Sequence, residues 1–313
     1  MERKISSKPV DVTKLSPMMR QYWKVKEQYL EQLLFFRLGD FYELFFDDAL
    51  IASRELELTL TGKECGLEER APMCGIPYHS SENYIAKLVK KGYKVAICEQ
   101  MEDPATAKGI VERDIIRIVT PGTVIESSML EEGRNNFLCS ICLQEPAVGV
   151  CFCDISTGEV SATAFAGKDA MEHLWNELGR YAPREAVLSP AAAEDPELRA
   201  FLRDRLDCRC EPGAEDRFER SAAWALCRKQ FRTGLEGLPE QGEAAVRAAG
   251  ALLDYLYTTQ KTDLSHLTAF QYYTSGQYME LDLTARRNLE LTETMRAKEK
   301  KGSLLWVLDK TKT

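Results

Sequence analysis

Apolar and polar positions in the first part of the chain change period several times, which is typical of a mixed α/β fold. Residues 33–38 form a short apolar run with strand character, and Gly39 and Asp40 then supply the residue types of a tight turn. Residues 41–45 resume the extended pattern, and an acidic pair after them begins a helix. The pattern therefore predicts a strand, a tight turn, a second strand and a helix.

Further elements on either side complete a first α/β domain, which we assign to residues 1–125. A helix begins at Ser16, because serine is a favoured N-cap and the proline after it suits the first helical position. A second helix begins at Ser81 and ends at residues 90–92, where two lysines precede a glycine. The remaining strand-like runs are residues 94–100 and 114–120.

A polar connection at residues 126–136 marks a change of pattern and predicts the start of a second domain. Three strand-like runs follow within residues 137–165, and a helical pattern begins after them. This order predicts a second α/β domain over residues 126–250. The sequence becomes helical again, so residues 251–313 form a predicted third segment.

In the predicted strand over residues 41–45, alternate side chains point to opposite faces. Phe41 and Glu43 share one face with Phe45, whereas Tyr42 and Leu44 share the other. A carboxylate next to an apolar ring is poorly suited to a core, because burying an unpaired charge is costly. The end of this strand is therefore predicted to be a functional edge.

The composition is that of an ordinary globular protein, with 44% apolar and 29% charged residues. The formal net charge of −8 argues against coating nucleic acid by bulk attraction. The acidic excess lies in residues 126–250, with 14 Lys and Arg against 22 Asp and Glu, so either flank is able to offer a basic surface. No membrane-length apolar run and no secretory leader pattern occur, so we expect a cytoplasmic protein with reduced cysteines.

The cysteine spacing superficially suggests a zinc site, because Cys139-x-x-Cys142 is followed by Cys151-x-Cys153. In strands, positions i and i+3 face opposite sides, so these thiols do not converge on one metal. Buried, reduced cysteines are the prediction.

Three segments carry a resemblance to a known family: GDFYELFFDDA, PMCGIPYHSSENYIAKLVKKGYKVAICEQ and ERDIIRIVTPGT. In this order and spacing they resemble the MutS family of DNA mismatch-recognition proteins. The resemblance continues through RNNFL, DISTGEV and LELTETMRAKEKKGSLLWVLDKTKT, and so covers essentially the whole chain. It implies the α/β fold class, with a mixed-sheet mismatch-recognition domain, an RNase H-like α/β connector domain and the beginning of a helical core domain.

The family carries a Phe-x-Glu motif, which Phe41-Tyr42-Glu43 occupies in this sequence. The resemblance implies that the Phe41 ring enters the minor groove and stacks on the mispaired base, while the Glu43 carboxylate hydrogen-bonds that base. PMCGIPYH resembles the loop beside this wedge, and His79 is predicted to pack inside it. The predicted DNA-binding residues are Gly39, Asp40, Phe41, Glu43, Met73, Gly75, Ile76, Pro77 and Arg117. Further candidate phosphate contacts, each more often a solvated surface charge, are Lys87, Lys90, Lys91, Lys94 and Arg113.

No G-x-x-x-x-G-K-[ST] motif occurs, so no nucleotide hydrolysis, catalytic residue, metal site or cofactor is predicted for this chain. By resemblance, ATP and Mg²⁺ belong to an ATPase region of the complete family member, of which this chain is expected to be a truncated form. The implied partners are mismatched duplex DNA, a second copy in the full-length homodimer, and a MutL-type repair protein bound through the connector domain. No membrane is expected, and the implied location is the bacterial cytoplasm, with action at the nucleoid.

Two alternatives stay open at this point. Asp154 ends a predicted strand where RNase H-like nucleases hold metal, but two-metal hydrolysis needs several converging carboxylates and no convincing partners follow. The second alternative is that the chain is a protein-interaction fragment, which binds repair partners through its acidic middle domain. Salt dependence separates the interaction fragment from a DNA binder, because only DNA binding releases condensed counterions.

Overall fold

The structure is a computed structural model that describes residues 4–103, 109–131, 134–274, 281–309 and 311. The chain divides into two compact units. Unit 1 comprises Met1–Asn136, Ile155–Thr157 and Asp254–Ser265, and unit 2 comprises Phe137–Asp154, Gly158–Leu253 and His266–Thr313. Within the described ranges, no helix is long and apolar enough to cross a membrane.

Unit 1 contains a mixed sheet whose described strands follow the order β3-β4-β2-β1-β5-β6. The strands are β1 (Gln32–Leu38), β2 (Phe41–Phe45), β3 (Thr61–Lys63), β4 (Ala71–Pro77), β5 (Lys94–Gln100) and β6 (Arg113–Val119). β1 pairs antiparallel with β2 and parallel with β5, so the sheet joins a local hairpin to a distant strand. β2 pairs with β4 on its other side, which places β2 in the interior of the sheet.

Helices cover both faces of this sheet: α1 (Pro17–Lys26), α2 (Phe46–Leu56) and α3 (Ser81–Lys90). α1 packs on one face through Tyr22, whose ring meets Phe36 and Phe45 edge-on, with centroids 5.4 and 4.9 Å apart. α2 and α3 pack on the other face, around Leu44 and its neighbours. The predicted strand, turn, strand and helix are confirmed, as are the helices that begin near Ser16 and Ser81.

Residues 71–77 form strand β4 and not the loop that the resemblance implied. The sequence favours a loop here because Pro72, Gly75 and Pro77 all weaken a strand. The ladder with β2 overrides that local preference. A second ladder, on the other side of β4, forms β3 from the three residues Thr-Gly-Lys, which carry too little signal to predict a strand.

Unit 2 contains a second mixed sheet, ordered β11-β10-β7-β8-β9-β12 in the described part of the chain. Its strands are β7 (Leu138–Gln144), β8 (Ala147–Asp154), β9 (Glu159–Ala166), β10 (Glu185–Leu188), β11 (Arg209–Pro212) and β12 (Gln271–Tyr272). β7, β8 and β9 form an antiparallel meander, and β10 and β11 continue in parallel beside β7. The three predicted strand-like runs are confirmed, and the arrangement agrees with the expected RNase H-like α/β fold.

The helices of the second half are α4 (Ala170–Tyr181), α5 (Pro190–Glu194), α6 (Pro196–Ala200), α7 (Arg220–Gln230), α8 (Gly242–Gln260), α9 (Leu283–Asn288) and α10 (Leu304–Leu308). α8 approaches β8 closely at Gly149, where an added Cβ would lie 2.1 Å from the Ala244 carbonyl. Glycine is therefore required there for helix and sheet to pack.

The domain limits predicted from sequence differ from the divisions of the structure. The first change of unit falls between Asn136 and Phe137, at the end of the predicted linker, of which residues 132 and 133 lie outside the described residues. The limit at residue 250 lies inside α8, so a helix continues across it. The separate third domain stays a prediction; its residues 275–280, 310, 312 and 313 also lie outside the described residues.

Candidate nucleic-acid interface

A two-residue turn joins β1 to β2 and presents the start of β2 to solvent. Leu38 and Phe41 pair across the ladder, which leaves Gly39 and Asp40 as the turn. Gly39 has φ of +58°, in the left-handed region where glycine pays no steric penalty. The backbone N–H of Tyr78 donates to the Asp40 carbonyl at 3.0 Å, so the end of β4 fixes the turn from beside it.

β2 passes from solvent into the core along one face. Phe41 is 46% exposed, the Glu43 side chain is 15% exposed, and Phe45 is fully buried against α1. Tyr42 and Leu44 point to the opposite face and are buried there. The predicted alternation is confirmed, and the face that α1 covers at Phe45 ends in an exposed ring and a carboxylate.

Lys63 is the counter-ion of Glu43, and no local sequence pattern indicates this pairing. Its Nζ donates to Glu43 Oε2 at 2.5 Å, with the two side chains 32% and 15% exposed. The same Nζ lies 5.8 Å from the centroid of the Phe45 ring. The contact joins strands that are not adjacent, because β4 lies between β2 and β3, and only the order of the sheet brings the two side chains together.

β4 lies directly beside β2 at the predicted site. Gly75 is opposite Glu43, where an added Cβ would be in ordinary contact with Glu43 Cγ at 3.5 Å. Pro77 is opposite Phe41, and Met73 is half-buried opposite Phe45. The four predicted residues of β4 therefore have their backbone beside Phe41 and Glu43. The side chain of one of them, Ile76, points instead into the core formed with α2 and α3.

Arg37 braces the hairpin from the other face of the sheet. Its Nε donates to the Gly39 carbonyl at 2.5 Å, and its guanidinium carbon lies 3.5 Å from the centroid of the exposed Tyr78 ring. Its Nη1 lies 3.3 Å from Glu99 Oε1, which also accepts a hydrogen bond from the Tyr42 hydroxyl. Burial, together with this bond to Glu99, raises the pKa of Tyr42, so the phenol remains a donor.

A buried ion pair anchors the base of the same hairpin. Lys26 Nζ lies 2.8 Å from Asp48 Oδ2, with both side chains almost fully buried. Asp48 Oδ2 also accepts from the backbone N–H of Leu34 at 2.9 Å, and Lys26 Nζ donates to the Gln32 carbonyl at 2.5 Å. α1, β1 and α2 are thus tied together at one point.

Arg117 is engaged within the protein, which weighs against the predicted phosphate contact. Its Nη1 pairs with Glu126 Oε1 at 2.5 Å, its Nε donates to Gln260 Oε1 at 3.0 Å, and its Nη2 donates to the Thr123 carbonyl at 2.8 Å. Its side chain is only 16% exposed. The Arg117 guanidinium is therefore occupied within unit 1, and its phosphate contact stays a prediction.

The other candidate cations divide into inward and outward groups. Lys94 and Arg113 are buried, and the Arg113 Nε donates to a backbone carbonyl of β1. Lys91 pairs with Glu55 at 2.9 Å, whereas Lys87 and Lys90 are exposed on α3. His79 is exposed beside Tyr78, so the prediction that it packs inside is wrong; the residues after β4 turn outward in a single 3-10 turn.

The predicted burial of the four cysteines in the apparent zinc spacing is confirmed. Cys139, Cys142, Cys151 and Cys153 are buried free thiols. Burial raises the pKa of Cys142 to about 11, so its thiol is protonated and inert near neutral pH. Within the described ranges, no group of three or more His, Cys, Asp and Glu side chains is arranged to hold a metal ion, and the nuclease alternative gains no support at Asp154.

Comparisons with known proteins cover both units. Residues 16–128 match the family model described as MutS domain I, and residues 136–268 match MutS domain II. The chain is 52% identical over 301 residues to the DNA mismatch repair protein MutS of Acetivibrio thermocellus, covering 96% of this chain and 34% of that protein. It is 51% identical over 299 residues to the protein of that name from Ruminiclostridium cellulolyticum, again covering 96% and 34%. The chain thus spans about one third of the length of these relatives.

Proposed function

Because the chain belongs to the MutS family of DNA mismatch repair proteins, we propose that unit 1 recognises mispaired duplex DNA with Phe41 as the wedge and Glu43 as the group that meets the displaced base. The observation that carries the proposal is the 46% exposure of Phe41 beside a carboxylate, on a strand whose other apolar residues are buried. A large apolar side chain held at a rigid hairpin end is suited to entering a base stack.

The energetics of wedging explain why such a site would select mispairs. Inserting a ring between base pairs requires unstacking, which costs a few kcal/mol and costs least where pairing is already defective. Discrimination then comes from local deformability more than from the identity of the bases. One wedge is therefore able to accept many different mispairs.

Glu43 opposes binding to normal duplex unless a base donor or a cation offsets its charge. At about 8 Å, one carboxylate and one phosphate repel by on the order of 0.5–2 kcal/mol for effective dielectric constants of 80 to 20. A displaced base that donates a hydrogen bond to Glu43 recovers this energy, and a stacked base pair does not. The carboxylate would therefore widen the difference between the two kinds of duplex.

The further properties that we propose rest on family membership. The complete protein would act as an ATP-driven homodimer, with a nucleotide site that this chain does not carry, and unit 2 would bind a MutL-type repair protein. A bacterial cytoplasmic protein acting at the nucleoid fits this role. The chain itself is proposed to act without catalysis, through Gly39, Asp40, Phe41 and Glu43 and the neighbouring backbone of β4.

Substitution of Phe41 and Glu43 tests the proposal. Phe41→Ala removes a base-stacking contact worth about 1–3 kcal/mol, so affinity for a mispair should fall toward that for normal duplex. Glu43→Gln deletes the charge, so normal duplex should bind more tightly while the gain from a mispair shrinks. Titration of labelled duplexes with and without one mispair, at low salt, measures both effects.

The matched control is Leu50→Ala, which removes an apolar side chain of similar exposure from α2. This control should leave the preference for mispaired duplex unchanged. An unchanged preference in Phe41→Ala would remove the basis of the proposal, and failure of the chain to bind any duplex at low salt would favour the protein-interaction alternative.

A further inference from the structure

We propose that Lys63 is a positioning residue for Glu43: it holds the carboxylate beside Phe41 in the DNA-free protein and thereby contributes to discrimination between mispaired and normal duplex. This inference rests on the proposed function of Phe41 and Glu43. It adds a role for a third residue, on a strand that carries none of the predicted site residues.

The pairing is favoured by the arrangement of the sheet. Glu43 pairs across the ladder with Gly75, and Lys63 pairs with Ala71 on the other side of the same strand, so all four residues lie on one face. The Lys63 side chain extends across β4 on this face, and its Nζ reaches Glu43 Oε2 at 2.5 Å.

Partial burial makes the contact more specific than an ordinary surface ion pair. With side-chain exposures of 32% and 15%, both charges are partly removed from water, which limits the screening that weakens fully exposed pairs. The Phe45 ring, 5.8 Å from the Nζ, gives the ammonium a second favourable contact. Lys63 is thus held from two directions, and Glu43 has one defined position.

Two consequences follow for DNA binding. A fixed carboxylate reaches a displaced base without first losing rotamer freedom, which favours the mispaired complex. The adjacent ammonium offsets part of the carboxylate charge in the free protein, but the two charges remain separate, so phosphates that lie nearer to the carboxylate are still repelled. A lysine that simply contacted phosphate would instead strengthen binding to every duplex equally.

The substitution Lys63→Met distinguishes a lysine that positions Glu43 from a lysine that contacts phosphate. If Lys63 positions Glu43, the ratio of mispaired to normal duplex affinity should fall about five-fold in Lys63→Met, and Lys63→Arg should restore most of it. In the Glu43→Gln background the same Lys63→Met change should leave the ratio unaltered, because no carboxylate remains to position. Lys24→Met, which removes an exposed lysine of α1, is the charge-matched control and should not change the ratio.

A DNA-free measurement makes the test independent of the proposed function. Chemical unfolding of the 313-residue chain with Lys63→Met, Glu43→Gln and both changes should give non-additive losses of stability. If Lys63→Met does not fold, Lys63→Gln replaces it in both the single and the double variant. An equal loss of affinity for both duplexes in both backgrounds, or strictly additive stability changes, would overturn the role of Lys63. Failure of Phe41→Ala to alter the ratio would instead overturn the proposed function and leave the stability test standing.

Discussion

Gly75 is the residue at which β4 passes beside Glu43, and it gives a test at the scale of a single side chain. An alanine Cβ there fits at 3.5 Å from Glu43 Cγ, so we expect Gly75→Ala to fold with stability equal to or slightly above that of the parent chain. If DNA approaches this backbone, the added methyl group should weaken binding to mispaired duplex. Thermal unfolding and duplex titration of the same preparation measure the two effects, and a loss of stability would show that the space at Gly75 is needed for folding.

At this scale the sequence predicts what depends on one strand and misses what depends on several. The alternation of Phe41, Glu43 and Phe45 follows from the period of a β-strand, so it was accessible from sequence. The counter-ion Lys63 lies 20 positions from Glu43, on a strand too short to predict, and Arg37 acts through contacts with the distant Glu99. Such partners are set by strand order, which no local pattern specifies.

The ion pair between Lys26 and Asp48 is the test at the scale of elements, because it joins α1, β1 and α2. Lys26→Met should destabilise unit 1 by about 3–5 kcal/mol, since removing one partner leaves the other as an uncompensated buried charge. Changing both residues, Lys26→Met with Asp48→Leu, should recover part of this loss. Denaturant unfolding measures the free energy of unfolding of both variants. Exposed ion pairs contribute up to about 1 kcal/mol, so a smaller loss than this for Lys26→Met would show that the buried pair contributes no more than a surface pair.

The elements themselves were predictable wherever their own residues determine them. The apolar run in β1 and the Ser-Pro start of α1 are local signals, and both elements lie where predicted. β4 is different, because two prolines and a glycine disfavour a strand and only pairing with β2 produces one. The domain limit at residue 250 stays a prediction, and it lies inside α8, whose helical residues continue on both sides of it.

The whole chain should bind DNA weakly and should not turn over ATP. It spans about one third of the length of its relatives, contains no phosphate-binding loop, and has its candidate cations Lys94, Arg113 and Arg117 turned inward. With few phosphate contacts, its dissociation constant at physiological salt should lie near the non-specific range of about 10⁻⁴–10⁻⁶ M. Fluorescence anisotropy and a phosphate-release assay check these expectations; nanomolar binding, or turnover that persists through repeated purification, would contradict them.

The parallel pairing of β1 with β5 also sets an order in time. The hairpin of β1 and β2 closes over a two-residue turn, whereas the bond from Arg37 to Glu99 spans 62 positions of the chain. Local pairs form first because their loop-closure entropy is small, and a chain made on the ribosome presents its N-terminal strands before the later ones exist. Until β5 has been synthesised, β1 is an edge strand with unpaired backbone groups, and Arg37 lacks the carboxylate that helps to brace the hairpin. The hairpin that carries Phe41 is therefore among the first parts of unit 1 to form and among the last to become rigid.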